Sequence, residues 1–168
     1  QAAFTQTGAP SAEAIQAAAV CGRPMWAKLS PNVSDLASIA AAAHDAGAEA
    51  VVLVNTVLGM AIDPETRRPR LGGGGGGLSG PAIHPVAVRA VHDVHAARPE
   101  LPIVGVGGVA RGVDAVELLL AGASAVEVGT ASFADPRSVE RVRDELQAWC
   151  RSHGVRAVRE LIGDAHAR

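Results

Sequence analysis

The chain has 168 residues, 48 % of them hydrophobic, a mean hydropathy of +0.20 and a formal net charge of −2. That apolar content can bury a core, and no apolar run approaches the roughly 18 residues that a membrane span needs. A slightly acidic chain whose aromatic residues are only Phe4, Trp26, Phe133 and Trp149 lacks both the basic field and the stacking platforms of a nucleic-acid-binding protein.

The first predicted element is a short Ala-rich helix over 11–20, opened by Pro10-Ser11, with Glu13 in its first turn where the helix dipole favours an anion. A strand over 24–29, PMWAKL, ends in the turn Ser30-Pro31-Asn32. Ser34 or Asp35 then starts a helix that runs to about Ala46 and is stopped by Gly47, and 49–54, EAVVLV, is the second strand. A long glycine-rich connection over 55–80 leads to a helix from about Pro81 to Ala97, ended by Arg98-Pro99. A strand over 102–106, a helix at about 112–121 and a strand over 125–128 come next. A helix from Pro136 to about Arg151 and a short one over 155–161 close the chain.

Continuously apolar strands alternating with helices are the signature of a buried parallel sheet with helices outside. One helix followed by about four strand–helix units predicts an α/β fold that is half of an eight-unit barrel, with strand edges left unpaired. A small flavodoxin-like sheet uses the same elements, but its phosphate loop normally follows the first strand, where none is found. Gln1 in place of a starting Met adds to the expectation of a fragment: residues 1–168 as one partial barrel domain. With no signal-peptide pattern, a cytoplasmic location is expected.

The most informative stretch is 102–131, PIVGVGGVARGVDAVELLLAGASAVEVGTA. One strand ends in Gly107-Gly108 and the next in Gly129-Thr130, with a single amphipathic helix between them. Glycine-bearing turns at the C-terminal ends of two consecutive parallel strands let backbone N–H groups approach an anion, because no Cβ intervenes. In a (β/α)₈ barrel the last two strands hold a phosphate there. The alternative is that these glycines only permit tight turns.

Lys28 lies near the end of an otherwise apolar strand, on the same face as Trp26, where an unpartnered ammonium is costly to bury. It is read as a cation for a ligand's developing negative charge, with a snorkelling structural lysine as the alternative. Asn55-Thr56 follows the second strand at the equivalent position and offers neutral donors and acceptors to a planar polar ligand; a turn-forming Asn is the alternative. The segment 59–80 reads as a lid or ligand loop whose glycines 72–77 are otherwise flexible filler, and Ser79-Gly80-Pro81 opens a helix whose N-terminus could face an anion. The six histidines fall mainly on helices or the tail, without metal-ligand spacing, and solvated helix faces explain most of them. Cys21 and Cys150 are too few and too isolated for a zinc site or a disulfide framework.

The ordered set KLSPNV (28–33), NTVLGMAID (55–63), GGLSGPAI (76–83), VGVGGV (104–109) and AGASAVEVGTA (121–131) closely resembles dihydroorotate dehydrogenase over essentially the whole chain. Within that family Thr56 and the run from Gly59-Met60 to Ile62-Asp63 resemble the class 1B catalytic subunit more than class 1A. The Gly129-Thr130 ending separates it from the membrane-associated class 2 enzymes. The resemblance implies the C-terminal half of an FMN-containing (β/α)₈ TIM barrel that oxidises dihydroorotate to orotate in pyrimidine biosynthesis. It implies that Lys28 contacts the flavin ring, that Val54 and Gly80 line it, and that Gly107, Gly108, Gly129 and Thr130 cradle the FMN phosphate. Asn55 and Thr56 would hydrogen-bond the orotate ring. It further implies a partner subunit that carries FAD and a [2Fe–2S] cluster and passes electrons to NAD, a homo-oligomeric full-length protein, and no metal ligands on this chain.

One departure stands out. The family's general base is a cysteine on a loop after the fourth strand, preceded by an asparagine-rich motif, and neither Cys21 nor Cys150 matches it. The base is therefore expected upstream of these residues, and the chain alone is expected to be inactive. The competing readings are the pyrimidine-reducing FMN barrel of dihydropyrimidine dehydrogenase, and a half barrel that binds FMN or phosphate without catalysis.

Overall fold

The computed structural model describes residues 8–167. The Ala-rich opening forms helix α1 (Gly8–Ala18), three residues earlier than the sequence suggests, and tightens into a 3₁₀ turn at Ala19–Cys21. Strand β1 (Trp26–Leu29) precedes α2 (Leu36–Asp45), which starts where the Asp35 carboxylate accepts the Ser38 N–H at 3.0 Å. Strand β2 (Ala50–Leu53) follows.

The long connection, read as a lid or ligand loop, carries short strands of its own. It forms two antiparallel ribbons: β3 (Val57–Gly59) pairs with a later strand, and within it β4 (Ile62–Asp63) pairs with β5 (Arg68–Pro69). The partner of β3 is β6 (Gly76–Leu78), built from the end of the glycine run. At Gly77 the glycine is not filler: a Cβ there would run into the Thr56 side chain, so only a glycine lets the ribbon close over that residue.

A 3₁₀ turn at Pro81–Ile83 leads into α3 (His84–Ala97). Strand β7 (Ile103–Val106) and α4 (Gly112–Ala121) lie where the pattern placed them. The Asp114 carboxylate opens α4 by accepting the N–H groups of Ala110 (2.9 Å) and Arg111 (2.8 Å), and Gly122 closes it in the left-handed conformation. Strand β8 (Ala125–Glu127) follows; the helix expected over 136–151 forms as α6 (Ser138–Ser152), preceded by a short helix, α5 (Ala131–Ala134), that the pattern did not show. They are separated at Asp135-Pro136, where Pro restricts the residue before it to extended backbone. The last segment, read as a short helix over 155–161, forms two 3₁₀ turns, Val158–Leu161 and Asp164–His166.

Strands β1, β2, β7 and β8 make one parallel sheet in that order, with Lys28, Val52, Val104 and Ala125 in register across it. The helix-side face carries Ala27, Leu29, Val51, Leu53 and Ile103, which join Ile39, Ala43, Val91 and Leu118 from the helices in one core. Here β1 departs from the expectation of strands buried on both faces: Ala27 and Leu29 are buried while Trp26 (60 % exposed) and Lys28 face outward. The other face of the sheet lacks a covering layer along this edge strand, as expected for part of a closed barrel.

Candidate functional site

All the sequence-predicted site residues lie at the C-terminal ends of these four strands or in the loops that leave them. Lys28 stands on the open face, and its ammonium reaches Glu127 of β8, Nζ to Oε2 3.6 Å. Since β1 and β8 are the two outer strands, the contact requires the sheet to curl, which brings opposite edges toward each other. Glu127 is a residue that sequence reasoning missed. Its only signal was a carboxylate in an otherwise apolar strand, the same signal that singled out Lys28.

Beyond β2, the Val54 N–H donates to the Val106 carbonyl (2.6 Å) and the Asn55 N–H to that of Leu29 (2.8 Å), so the strand end is tied to both neighbours. The Val54 side chain sits in the main core, whereas Asn55 is exposed and Thr56 half-buried. A second missed residue fixes this pair. The Asn32 amide donates to the Thr56 carbonyl (2.9 Å) and to Ser30 Oγ (2.9 Å), and its oxygen accepts the Leu58 N–H at 2.8 Å. The turn after β1 thus clamps the segment after β2.

The glycine turns converge. Gly108 adopts φ +71°, and a Cβ there would lie 2.8 Å from the Gly80 carbonyl oxygen and 2.8 Å from His84 Cβ. A Cβ on Gly80 would lie 3.5 Å from the Thr130 methyl group. Gly80, Gly108 and Thr130 therefore form one patch at the ends of β7 and β8, with open space around Gly129. Gly107 is buried, close against Ala87 of α3.

His84 is an exception to the reading that solvated helix faces explain most of the histidines. It is 8 % exposed, with Nδ1 2.8 Å from the Gly107 carbonyl and Nε2 2.8 Å from Glu117 Oε2. One ring therefore ties the first residue of α3 to the turn after β7 and to α4, holding the glycine patch in shape. Far from the strand ends, His92 stacks on His166 at 4.0 Å and His95 lies 4.9 Å from His166. Burial first, and then the neighbouring His166 and His92, hold the His95 imidazole below the usual histidine range. For Asp114, burial pushes the carboxyl up, but the N–H groups of Ala110 and Arg111 and the Arg111 guanidinium outweigh it, leaving it below the usual carboxylate range.

Among the described residues no group of three His, Cys, Asp or Glu side chains is placed to hold a metal ion. No helix among them is long and apolar enough to cross a membrane. Cys21 is exposed in the turn before β1 and Cys150 is buried on α6, both away from the strand ends.

The sequence profile that describes dihydroorotate dehydrogenase matches residues 4–149. The chain belongs to the dihydroorotate dehydrogenase family. A Geobacter sp. protein named dihydroorotate dehydrogenase B (NAD(+)), catalytic subunit, is 52 % identical over 84 % of this chain and 46 % of its own length. A Solibacter usitatus relative, provisionally named dihydroorotate dehydrogenase A (fumarate), is 52 % identical over 90 % of this chain and 50 % of its own length. Among solved structures, the family enzyme of Eimeria tenella in complex with ferulenol superposes with a TM-score of 0.73 at 31 % identity, covering 87 % of this chain and 39 % of that one. The chain thus spans about half the length of the curated relatives it matches, and its four-stranded parallel sheet is the corresponding part of the family barrel.

Proposed function

We propose that residues 1–168 are a partial barrel domain supplying the flavin cradle and part of the substrate clamp of an enzyme that oxidises dihydroorotate to orotate. One observation carries the reading: Lys28, Asn55-Thr56 and the patch of Gly80, Gly108 and Thr130 all meet at the C-terminal ends of four parallel strands. Active sites of such barrels are built there from several strand ends.

The family is flavin-dependent, and the residues present fit FMN. At Gly108 a side chain would fill the space between two loops, and around Gly129 nothing intrudes, so the backbone stays open to a phosphate. Gly107, Gly108, Gly129 and Thr130 would hold that phosphate, Gly80 and Val54 would border the ring, and Lys28 would contact it. When bound, FMN supplies the two-electron acceptor for the substrate C–H bond. Asn55 and Thr56 offer an amide and a hydroxyl to the planar ring of the substrate, and Asn32 keeps them in place through the Thr56 carbonyl. The Lys28 ammonium stabilises negative charge that develops beside it. The proton abstracted in the reaction goes to a base from another part of the full-length protein, because neither cysteine described here stands at the strand ends.

The B-type names among the relatives, which print NAD(+) and a catalytic subunit, support electron transfer to NAD through a separate subunit; by the resemblance that subunit would carry FAD and a [2Fe–2S] cluster. The Solibacter name favours a second reading, with fumarate as acceptor. Exposed Leu58, Met60 and Ile62 on the ribbons support burial against further protein in a homo-oligomeric full-length enzyme; a cytoplasmic location is part of the same proposal. In the full-length protein, Lys28→Ala should cut flavin affinity at least tenfold, and Asn55→Ala should raise KM for dihydroorotate with flavin content unchanged. Flavin absorbance and steady-state kinetics with NAD or fumarate read both effects. Full turnover by Lys28→Ala, or by these 168 residues alone, would overturn the assignment.

A further inference from the structure

Lys28 is the only lysine of this chain; the other 14 of its 15 basic residues are arginines. It stands on the open face of β1, and the group facing it is the Glu127 carboxylate, 3.6 Å away on the opposite outer strand. The register places Val52 and Val104, both buried, in the row between β1 and β8, so the two charges meet above an apolar floor. About half of each side chain remains exposed, which leaves room for a ligand to approach both. Among the described residues Glu127 has no other ion pair or side-chain hydrogen bond.

We propose that Glu127 is a positioning residue that holds the Lys28 ammonium over the open face and lowers the electron affinity of the ring that Lys28 contacts. This rests on the flavin reading above. An ammonium alone beside a flavin favours the reduced, anionic ring and makes it a stronger oxidant. A carboxylate within a few ångströms of that ammonium opposes this electrostatically. Glu127 thus tunes the ring toward handing its electrons on to a low-potential acceptor of the nicotinamide class. The side chain touches neither substrate nor base in this role; it acts through Lys28.

The test uses the full-length, flavin-loaded enzyme. Glu127→Gln should retain flavin, shift its midpoint potential to more positive values in spectroelectrochemical titration, and slow electron transfer to NAD more than it slows flavin reduction by dihydroorotate. In the flavin-stripped protein the Lys28-containing peptide should be labelled faster by an amine reagent, read by mass spectrometry, because the ammonium is no longer held. Glu127→Asp should return the potential most of the way. Should Glu127→Gln not fold, the Asp variant reads the same shift in smaller measure. An unchanged potential and labelling rate in a folded Glu127 variant, with Lys28→Ala shifting the potential downward, would remove Glu127's role and leave the flavin reading intact. If Lys28→Ala changes neither flavin affinity nor potential, it is the flavin reading that falls.

Discussion

The two faces of the sheet solve opposite problems with the same strands. On the helix side Val51, Leu53 and Ile103 are fully buried, and small residues such as Ala40, Ala43 and Ala87 let the helices lie close. On the open side the same strands end in Lys28, Glu127, an exposed Asn55 and the glycine turns, groups that gain little from burial and much from a ligand. The contrast teaches that stability and ligand recognition are separable here: the first resides in one layer, the second at the strand ends.

The largest effect that would break this contrast is expected in the core. Ile103→Ala or Leu53→Ala in the full-length protein should cost about 2–5 kcal/mol, because a cavity remains where the side chain was fully enclosed. Urea denaturation would measure it, and a loss below about 1 kcal/mol would show that the helix-side layer does not carry the fold. Next comes Gly108→Ala. The left-handed backbone alone costs roughly 1–2 kcal/mol with a side chain, and the new methyl meets the Gly80 carbonyl and His84. Flavin affinity should fall more than stability does, as seen by comparing flavin titration with thermal melting.

His84→Ala should cost about 1–3 kcal/mol, since it leaves the Gly107 carbonyl and Glu117 without their shared partner. A preserved melting temperature would separate His84 from the glycine patch it is argued to support. The smallest effect lies away from both faces, in the cluster of His92, His95 and His166. Folding holds the His95 imidazole below the usual histidine range, so the unfolded chain binds its proton more readily. Its share of stability is therefore intact above about pH 6.5 and is lost as pH falls below that value. His95→Gln should reduce the drop in urea midpoint between pH 7.5 and pH 5.5, whereas the stabilisation from Asp114, whose carboxyl is lowered, is fully present above about pH 4 and is lost only as pH falls below that value.

The order of strands and helices, the parallel sheet, the strand-end positions of Lys28 and Asn55-Thr56, and the family itself were legible in the sequence. Local period, glycine turns and motif order are properties of short segments, and such segments report themselves. Tertiary structure alone decided that Lys28 is paired with Glu127, that Asn32 clamps Leu58 from 26 residues away, and that His84 is buried against Glu117, 33 residues away. It also decided that β1 leaves one face open and that the glycine run closes a ribbon over Thr56. These features depend on how far the sheet curls and which loops then meet. No pattern along the chain encodes that curl, because it arises from the packing of all four strands against their helices at once.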